Sequence, residues 1–230
     1  MSTDIYASLS GASAAWTNME IVSNNLANVS TTGFKASRLA FESTSPARDK
    51  WAQAYATTSG ERPDLRDGAV VSDGNPTHLA LQGSGYFMVQ DGDRPLFTRD
   101  GRFQIDAARR LVDTAGRPVL GAAGVIEIPE GETVRIDELG RIFGSLTGEL
   151  DQVRIGDAEV RAMGNNLFEP LGPTYAGSAR VFQGGLEASN VDPLSAMVDL
   201  VQASRYFEAF QKAMQASDEL DSRLNQTGGG

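Results

Sequence analysis

The sequence has no cysteine and a single histidine, His78. Thiol nucleophiles, disulfides and Cys/His metal sites are thereby excluded together. It has no apolar run near the ~18 residues that a bilayer-spanning helix requires. It also lacks any block of basic residues, since 20 Lys and Arg stand against 30 Asp and Glu, a net charge of −10. Neutralising phosphates needs clustered cations, so this balance argues against nucleic-acid binding and against attraction to an anionic membrane surface. No basic residue precedes Lys35, so the charged start of a secretory signal peptide is missing and the chain is expected to stay inside or leave by another route. What is present is 230 residues, enough for one good-sized domain or two small ones.

The first 34 residues carry only Asp4 and Glu20 as charges. A helix so poor in charge lacks an ordinary solvated face. Ile5, Leu9, Ala12, Trp16, Met19 and Leu26 recur at alternating spacings of four and three, with Ser23 filling one slot. This heptad stripe predicts a helix over about residues 4–28, capped by Ser2 or Thr3 and stopped by the turn Ser30-Thr31-Thr32-Gly33. At the other end Asp192-Pro193 is a helix start, because Asp accepts from free N–H groups and Pro at the first position loses no hydrogen bond. Leu200, Ala203, Phe207, Phe210, Met214, Ser217, Asp221 and Leu224 follow the same alternation, and Leu194, Val198 and Val201 form a second apolar stripe. Either both helices pack on a globular core, or they pair with each other and then with the same helices of neighbouring copies. The second reading is favoured by the apolar area of Trp16, Phe207 and Phe210.

Between about residues 65 and 180 the period changes. Short alternating runs such as Tyr86-Phe87-Met88-Val89, Leu96-Phe97-Thr98 and Leu111-Val112 are bounded by Gly and Asp-Gly turns, which predicts an antiparallel β domain. The expected fold is α+β: terminal helices (1–42 and 181–226) pairing in coiled-coil fashion, a connector (43–66), a central antiparallel all-β domain (67–180) and a disordered tail (227–230). Trp51 and Tyr55 stand at helical spacing within the connector, and no internal repeat of fixed period is visible.

Candidates for chemistry are weak. Asp91, Asp93 and Asp100 do not meet a calcium-loop pattern, and Gly83-Ser84-Gly85 lacks the third glycine and the helix of a phosphate cradle. His78 has no Gly-x-Ser-x-Gly elbow to accompany it. The expectation is a non-enzyme without cofactor, metal or small-molecule substrate. Tyr86, Phe87, Phe97 and Phe103 would suit a ligand-binding β domain if exposed, but their alternation favours a core.

The segment Ser23-Asn24-Asn25-Leu26-Ala27-Asn28-Val29-Ser30-Thr31-Thr32-Gly33-Phe34-Lys35 resembles the N-terminal signature of flagellar axial proteins. Gly185-Leu186-Glu187-Ala188-Ser189-Asn190-Val191-Asp192-Pro193, followed by Met197-Val198-Asp199-Leu200, resembles the signature that opens their C-terminal helix. Gly83 to Val89, Thr98-Arg99-Asp100-Gly101-Arg102-Phe103 and Pro118-Val119-Leu120-Gly121 resemble the β domain of the longer rod proteins and the hook. The likeness to the flagellar basal-body rod family covers nearly the whole chain. It implies a structural subunit of the rod in the periplasmic space, exported by the flagellar type III apparatus without a cleavable signal. The implied partners are other rod subunits and copies of itself. Length restricts the match to the members of intermediate size. Asp4-Ile5-Tyr6-Ala7, Ser10-Gly11-Ala12 and Arg205-Tyr206-Phe207-Glu208 favour the proximal-rod type, with the distal-rod type as the alternative. In physical terms, Asn24, Asn25 and Asn28 can bond free backbone groups at a helix end, Gly33 permits a left-handed turn and Phe34 anchors the departing chain.

Overall fold

The computed structural model describes residues 2–44 and 55–227, with side-chain surroundings for 11–39 and 61–216. Trp51, the final glycines and the side chains of Ile5, Leu9, Tyr55 and Leu224 lie outside the described residues. The chain is α+β and divides into two compact units. One comprises residues 1–27, 37–60 and 192–230; the other comprises 28–36 and 61–191.

In the first unit, helix α1 (Ser2–Ala27) and helix α2 (Pro193–Thr227) both run close to their predicted spans. Asp192 caps α2: its carboxylate accepts from Ser195 N at 2.7 Å and its carbonyl from Ala196 N at 2.9 Å. The capping hydrogen bonds hold the Asp192 carboxyl below its ordinary pKa. Between the helices in sequence, β1 (Ser37–Thr44) and β2 (Tyr55–Pro63) form a two-stranded sheet, β1 mostly within the end of the 1–42 segment assigned to the helical module and β2 within the expected connector 43–66. The sequence of β2 hides this, since Gly60 and Pro63 are turn residues by composition and strand formation here relies on the partner strand.

The second unit is the β body. Its first strands are β3 (Val70–Ser72), β4 (Leu79–Gln82), β5 (Tyr86–Asp91), β6 (Arg94–Thr98), β7 (Gln104–Ile105) and β8 (Leu111–Val112). There follow β9 (Val134–Ile136), β10 (Arg141–Gly144), β11 (Gly148–Gln152), β12 (Ile155–Asp157), β13 (Val160–Gly164) and β14 (Leu167–Pro170). The last are β15 (Tyr175–Ala176), β16 (Arg180–Gln183) and β17 (Gly185–Glu187). All pairings in the central sheet, ordered β13-β14-β6-β5-β12-β15, are antiparallel. Strand β5 shows why its sequence is a continuous apolar run. Phe87 and Val89 enter one cluster with Leu79, Leu81, Phe103 and Ile126, whereas Tyr86 and Met88 enter another with Phe97 and Phe168. Both faces of the strand are covered, so the polar half of the alternation disappears.

The hairpins of the body reuse one turn. Asp106, Asp113 and Asp137 each accept the backbone N–H of the arginine four residues on (Arg110, Arg117, Arg141) at 2.8–2.9 Å, and each accepts that arginine's Nε at 2.7–2.9 Å. The residue before the arginine is left-handed in all three, with φ of 64° at Arg109, 83° at Gly116 and 80° at Gly140. Arg109 holds a backbone shape that glycine adopts freely, and its guanidinium is tied down by the carbonyls of Ile128 at 3.0 Å and Pro129 at 2.7 Å. The turns stand at irregular intervals along the chain, so no periodic repeat announces them.

Hydrogen bonds from the Arg110 backbone and side chain hold the Asp106 carboxyl below its ordinary pKa. Partial burial works against Asp137, but the side chain and backbone of Arg141 outweigh it and also lower its pKa. A carboxyl with a depressed folded pKa stabilises above its unfolded value of 3.8 and loses that contribution as the pH falls through the folded value. Urea-denaturation midpoints should therefore fall below about pH 4. Asp106→Asn and Asp137→Asn should each lower the midpoint at neutral pH and flatten the acid limb.

Candidate functional site

Two sets of residues were singled out by the sequence: the helix stripes and the paired signatures. In the first unit α1 and α2 run antiparallel. Trp16 meets Phe207 with ring centroids 5.3 Å apart, and earlier in α1 Gly11 meets the later Phe210, whose Cε1 would lie 2.8 Å from a Cβ at that glycine. Gly11 is thus a seat for a ring. Ala12, Ile21, Ala196 and Ala203 are buried. Met19, Leu26, Leu200, Phe207, Phe210 and Met214 are half-buried, and Trp16 remains 46% exposed. The stripes missed Ile21 and Ala196; extending the α2 alternation one step of four before Leu200 would have added Ala196, whereas Ile21 lies off the α1 spacing. On α2 the second stripe faces outward, with Leu194 73%, Val198 49% and Val201 53% exposed and Met197 beside them at 53%. A helix face of this kind is not an ordinary solvated surface.

The signature residues satisfy backbone groups. Asn25 acts as a short strand partner: its Nδ2 donates to Ser37 O at 2.9 Å and its Oδ1 accepts from Ser37 N at 2.8 Å. Asn28 accepts from the Thr31 hydroxyl at 3.1 Å and, through its carbonyl, from Thr31 N at 3.0 Å. Asn24 is exposed. Within the β body Asn190 ties two segments together, accepting from Ala36 N at 2.8 Å and donating to the carbonyls of Asp64 at 2.8 Å and Arg66 at 2.9 Å. Gly33 has φ +67°, and a Cβ there would stand 2.4 Å from the Arg99 carbonyl carbon and oxygen. Phe34, the proposed anchor, is half-buried.

The signatures meet at a group that sequence reasoning quoted without assigning it a role. Glu187 has no exposed surface. Its Oε1 accepts from Lys35 Nζ at 2.6 Å and from Gly68 N at 2.8 Å, its Oε2 from Arg99 NH1 at 3.1 Å, and its carbonyl from Gly33 N at 2.7 Å. Lys35 and Arg99 are 3% and 1% exposed. Lys35 also donates to Arg66 O at 2.8 Å, and Arg99 to Gly83 O at 2.6 Å, with its guanidinium 5.5 Å from the Tyr86 ring centre. Burial lowers the Lys35 pKa against the opposing pull of Glu187. Burial pushes the Tyr86 hydroxyl up to about 12. One signal was available: the chain has lysine only at positions 35, 50 and 212.

The weak chemical candidates stay apart. His78 pairs with Asp73 at 2.5 Å in the turn before β4, Asp100 pairs with Arg102 at 2.7 Å, and Asp91 and Asp93 are exposed. Among the described residues no three acidic or imidazole groups gather as a metal site, and no helix is long and apolar enough to cross a membrane. Tyr86, Phe87, Phe97 and Phe103 are at most 1% exposed, so they offer no aromatic platform.

Three family patterns match the chain. Residues 5–35 match the flagella basal body rod protein pattern, 80–144 the flagellar hook protein FlgE/F/G D1 domain, and 183–227 the flagellar basal body rod FlgEFG protein C-terminal pattern. The rod protein FlgF of Salmonella typhimurium is 30% identical over 96% of this chain and 96% of its own length. The chain belongs to the flagellar basal-body rod protein family. FlgF of Caulobacter vibrioides is 31% identical over 96% of this chain and 95% of its own length. FlgG of Buchnera aphidicola, from the pea-aphid strain, is 29% identical over 98% of this chain and its full length. Both member types match about equally, so family membership is shown without a choice between them. The chain is a structural rod subunit of the flagellar basal body, and its partners are other rod components.

The Gly33 geometry gives a direct test. Gly33→Ala, which forces a Cβ against backbone in a left-handed residue, should destabilise the β body by about 2 kcal/mol or more in chemical denaturation.

Proposed function

We propose that this rod-family subunit is of the proximal-rod type and polymerises through its terminal helices, which pack in coiled-coil fashion with those of its neighbours. The carrying observation is the outward stripe of α2, where Leu194, Met197, Val198 and Val201 are about half exposed or more. Phe207 and Phe210 are turned to α1, so the face left for a neighbour is this second stripe together with the open side of Trp16. Ile5, Leu9, Ala12, Met19, Leu26, Leu200, Met214 and Leu224 complete the proposed assembly module; of the expected ranges 1–42 and 181–226, residues 28–36 and 181–191 belong to the β body, so the module rests on α1 and α2. Contacts between different surfaces of successive copies build a helical rod when the rotation between copies does not close a ring. The β body makes lateral contacts between subunits. Passage through the flagellar type III apparatus into the periplasmic space, without a cleavable signal, completes the reading.

Support for the proximal type comes from Asp4-Ile5-Tyr6-Ala7 and Arg205-Tyr206-Phe207-Glu208; the similarity to FlgG keeps the distal type as the alternative. Complementation distinguishes them. Restored motility in a strain without FlgF, and none in a strain without FlgG, is the expected result, and the converse assigns the distal type.

The assembly face is tested separately. Val198→Asp and Val201→Asp sit on exposed positions and should change stability by no more than about 0.5 kcal/mol. Each should abolish incorporation into basal bodies; a variant that incorporates normally removes this face from the interface.

A further inference from the structure

The charges that meet in the β body arrive in a particular order along the chain. The cations come first, Lys35 and Arg99, and the carboxylate that joins them is Glu187. Apart from Glu187 the acid beside Arg99 is Asp67, at 3.5 Å and 43% exposed, which also favours the charge of Lys35, and among the described residues the second acceptor of Lys35 is the Arg66 carbonyl. Closing the body without Glu187 would place two cations in sites of 3% and 1% exposure with no buried anion. Such burial is strongly opposed, because the desolvation of each ion is uncompensated. Glu187 also satisfies backbone donors: its carboxylate takes Gly68 N from a further segment, and its carbonyl takes Gly33 N from the segment of Lys35. Its strand, β17, pairs antiparallel with β3 along Val70–Ser72.

We propose that Glu187 is a completion latch: the β body closes only when the C-terminal signature has joined the N-terminal one, however many of its other strands are already present. The paired signatures are then two halves of one folding element. Chains are made from the N-terminus. A body that waits for residue 187 of 230 stays open until most of the chain exists. This inference does not depend on the polymerisation reading, since every residue in it belongs to the β body.

Lys35 is the only lysine in residues 28–36 and 61–191, so its amine reports on the latch. The full-length chain is compared with Lys35→Met, Glu187→Gln and the double variant. One readout is the rate at which Lys35 is acylated, resolved by mass spectrometry against the same chain in urea. The other is amide hydrogen exchange in β5 and β6. In the parent, Lys35 should react at least ~100-fold more slowly than in urea. Glu187→Gln should bring its rate towards the urea value and raise exchange in β5 and β6 together. Adding Lys35→Met to that variant should restore protection of β5 and β6 by about tenfold or more, because one uncompensated cation has been removed. Lys35→Met alone should cost less than Glu187→Gln, since the Glu187–Arg99 pair survives.

Exposure of Lys35 in Glu187→Gln with parent-like protection in β5 and β6 would reduce the group to a local ion pair and overturn the latch. Equal exchange in Glu187→Gln and the double variant would do the same, by showing that charge is not what the site senses. If Glu187→Gln gives no folded protein, a folded double variant is the expected result, and failure of the double to fold overturns the proposal.

Discussion

A carboxylate with no exposed surface has to be matched by donors, and the matching of Glu187 organises the β body. Its three side-chain partners come from residues 35, 68 and 99, and its carbonyl serves residue 33. A hydrophobic contact of equal size would tolerate a shifted neighbour, because it is non-directional. The ion cluster does not, since each displaced donor leaves a buried charge or N–H unmatched. Such a cluster adds less to stability than its Coulomb energy suggests, and its effect is on which segments may lie together. The segments it selects are the end of β6 with Arg99, and 28–36, 61–68 and 185–191, by which the chain enters or leaves this unit.

The chemistry of the cations fits that division of labour. Exposed and half-exposed turns use arginine, as in Arg110, Arg117 and Arg141, where the side chain and the backbone N–H of the same residue grip one carboxylate. The planar fork makes that grip directional. Lys35 stands where a compact point charge is needed between Glu187 Oε1 and the Arg66 carbonyl. Arg99 spans a wider gap, reaching Glu187 through one NH group and Gly83 O through the other. Exchanging the two would misfit both, although they carry the same charge.

What the sequence made legible follows from the range of the interactions involved. The Asp192 cap, the left-handed Gly33 and the strand runs are decided within a few residues, so spacing and residue type were sufficient. The signatures were legible as patterns, but the bond between them was not: Lys35 and Glu187 are 152 residues apart, and no local rule pairs them. The β1–β2 pair was hidden for a related reason, since each strand depends on the other rather than on its own propensity. Helix spacing marked two apolar stripes on α2; Phe207 and Phe210 of one meet α1, and Leu194, Val198 and Val201 of the other are exposed. Spacing did not say which would meet α1, because that choice was made by Gly11, whose missing side chain admits the Phe210 ring.

A rod subunit carries load through its own backbone as well as through its contacts. In this chain the segments that join the two units are not free linkers within the β body. Residues 33 and 35 are held by Glu187, Ala36 and the 64–66 carbonyls by Asn190, and the Ala36 carbonyl by Asp64 N at 2.7 Å. Force arriving along any of them therefore meets side-chain and backbone hydrogen bonds of the β body, of which the Lys35–Glu187 pair is buried. The asparagines of the signatures suit this task better than charged residues would. A neutral amide both donates and accepts, so it can tie two backbones without the desolvation cost that Glu187 needs two cations to offset.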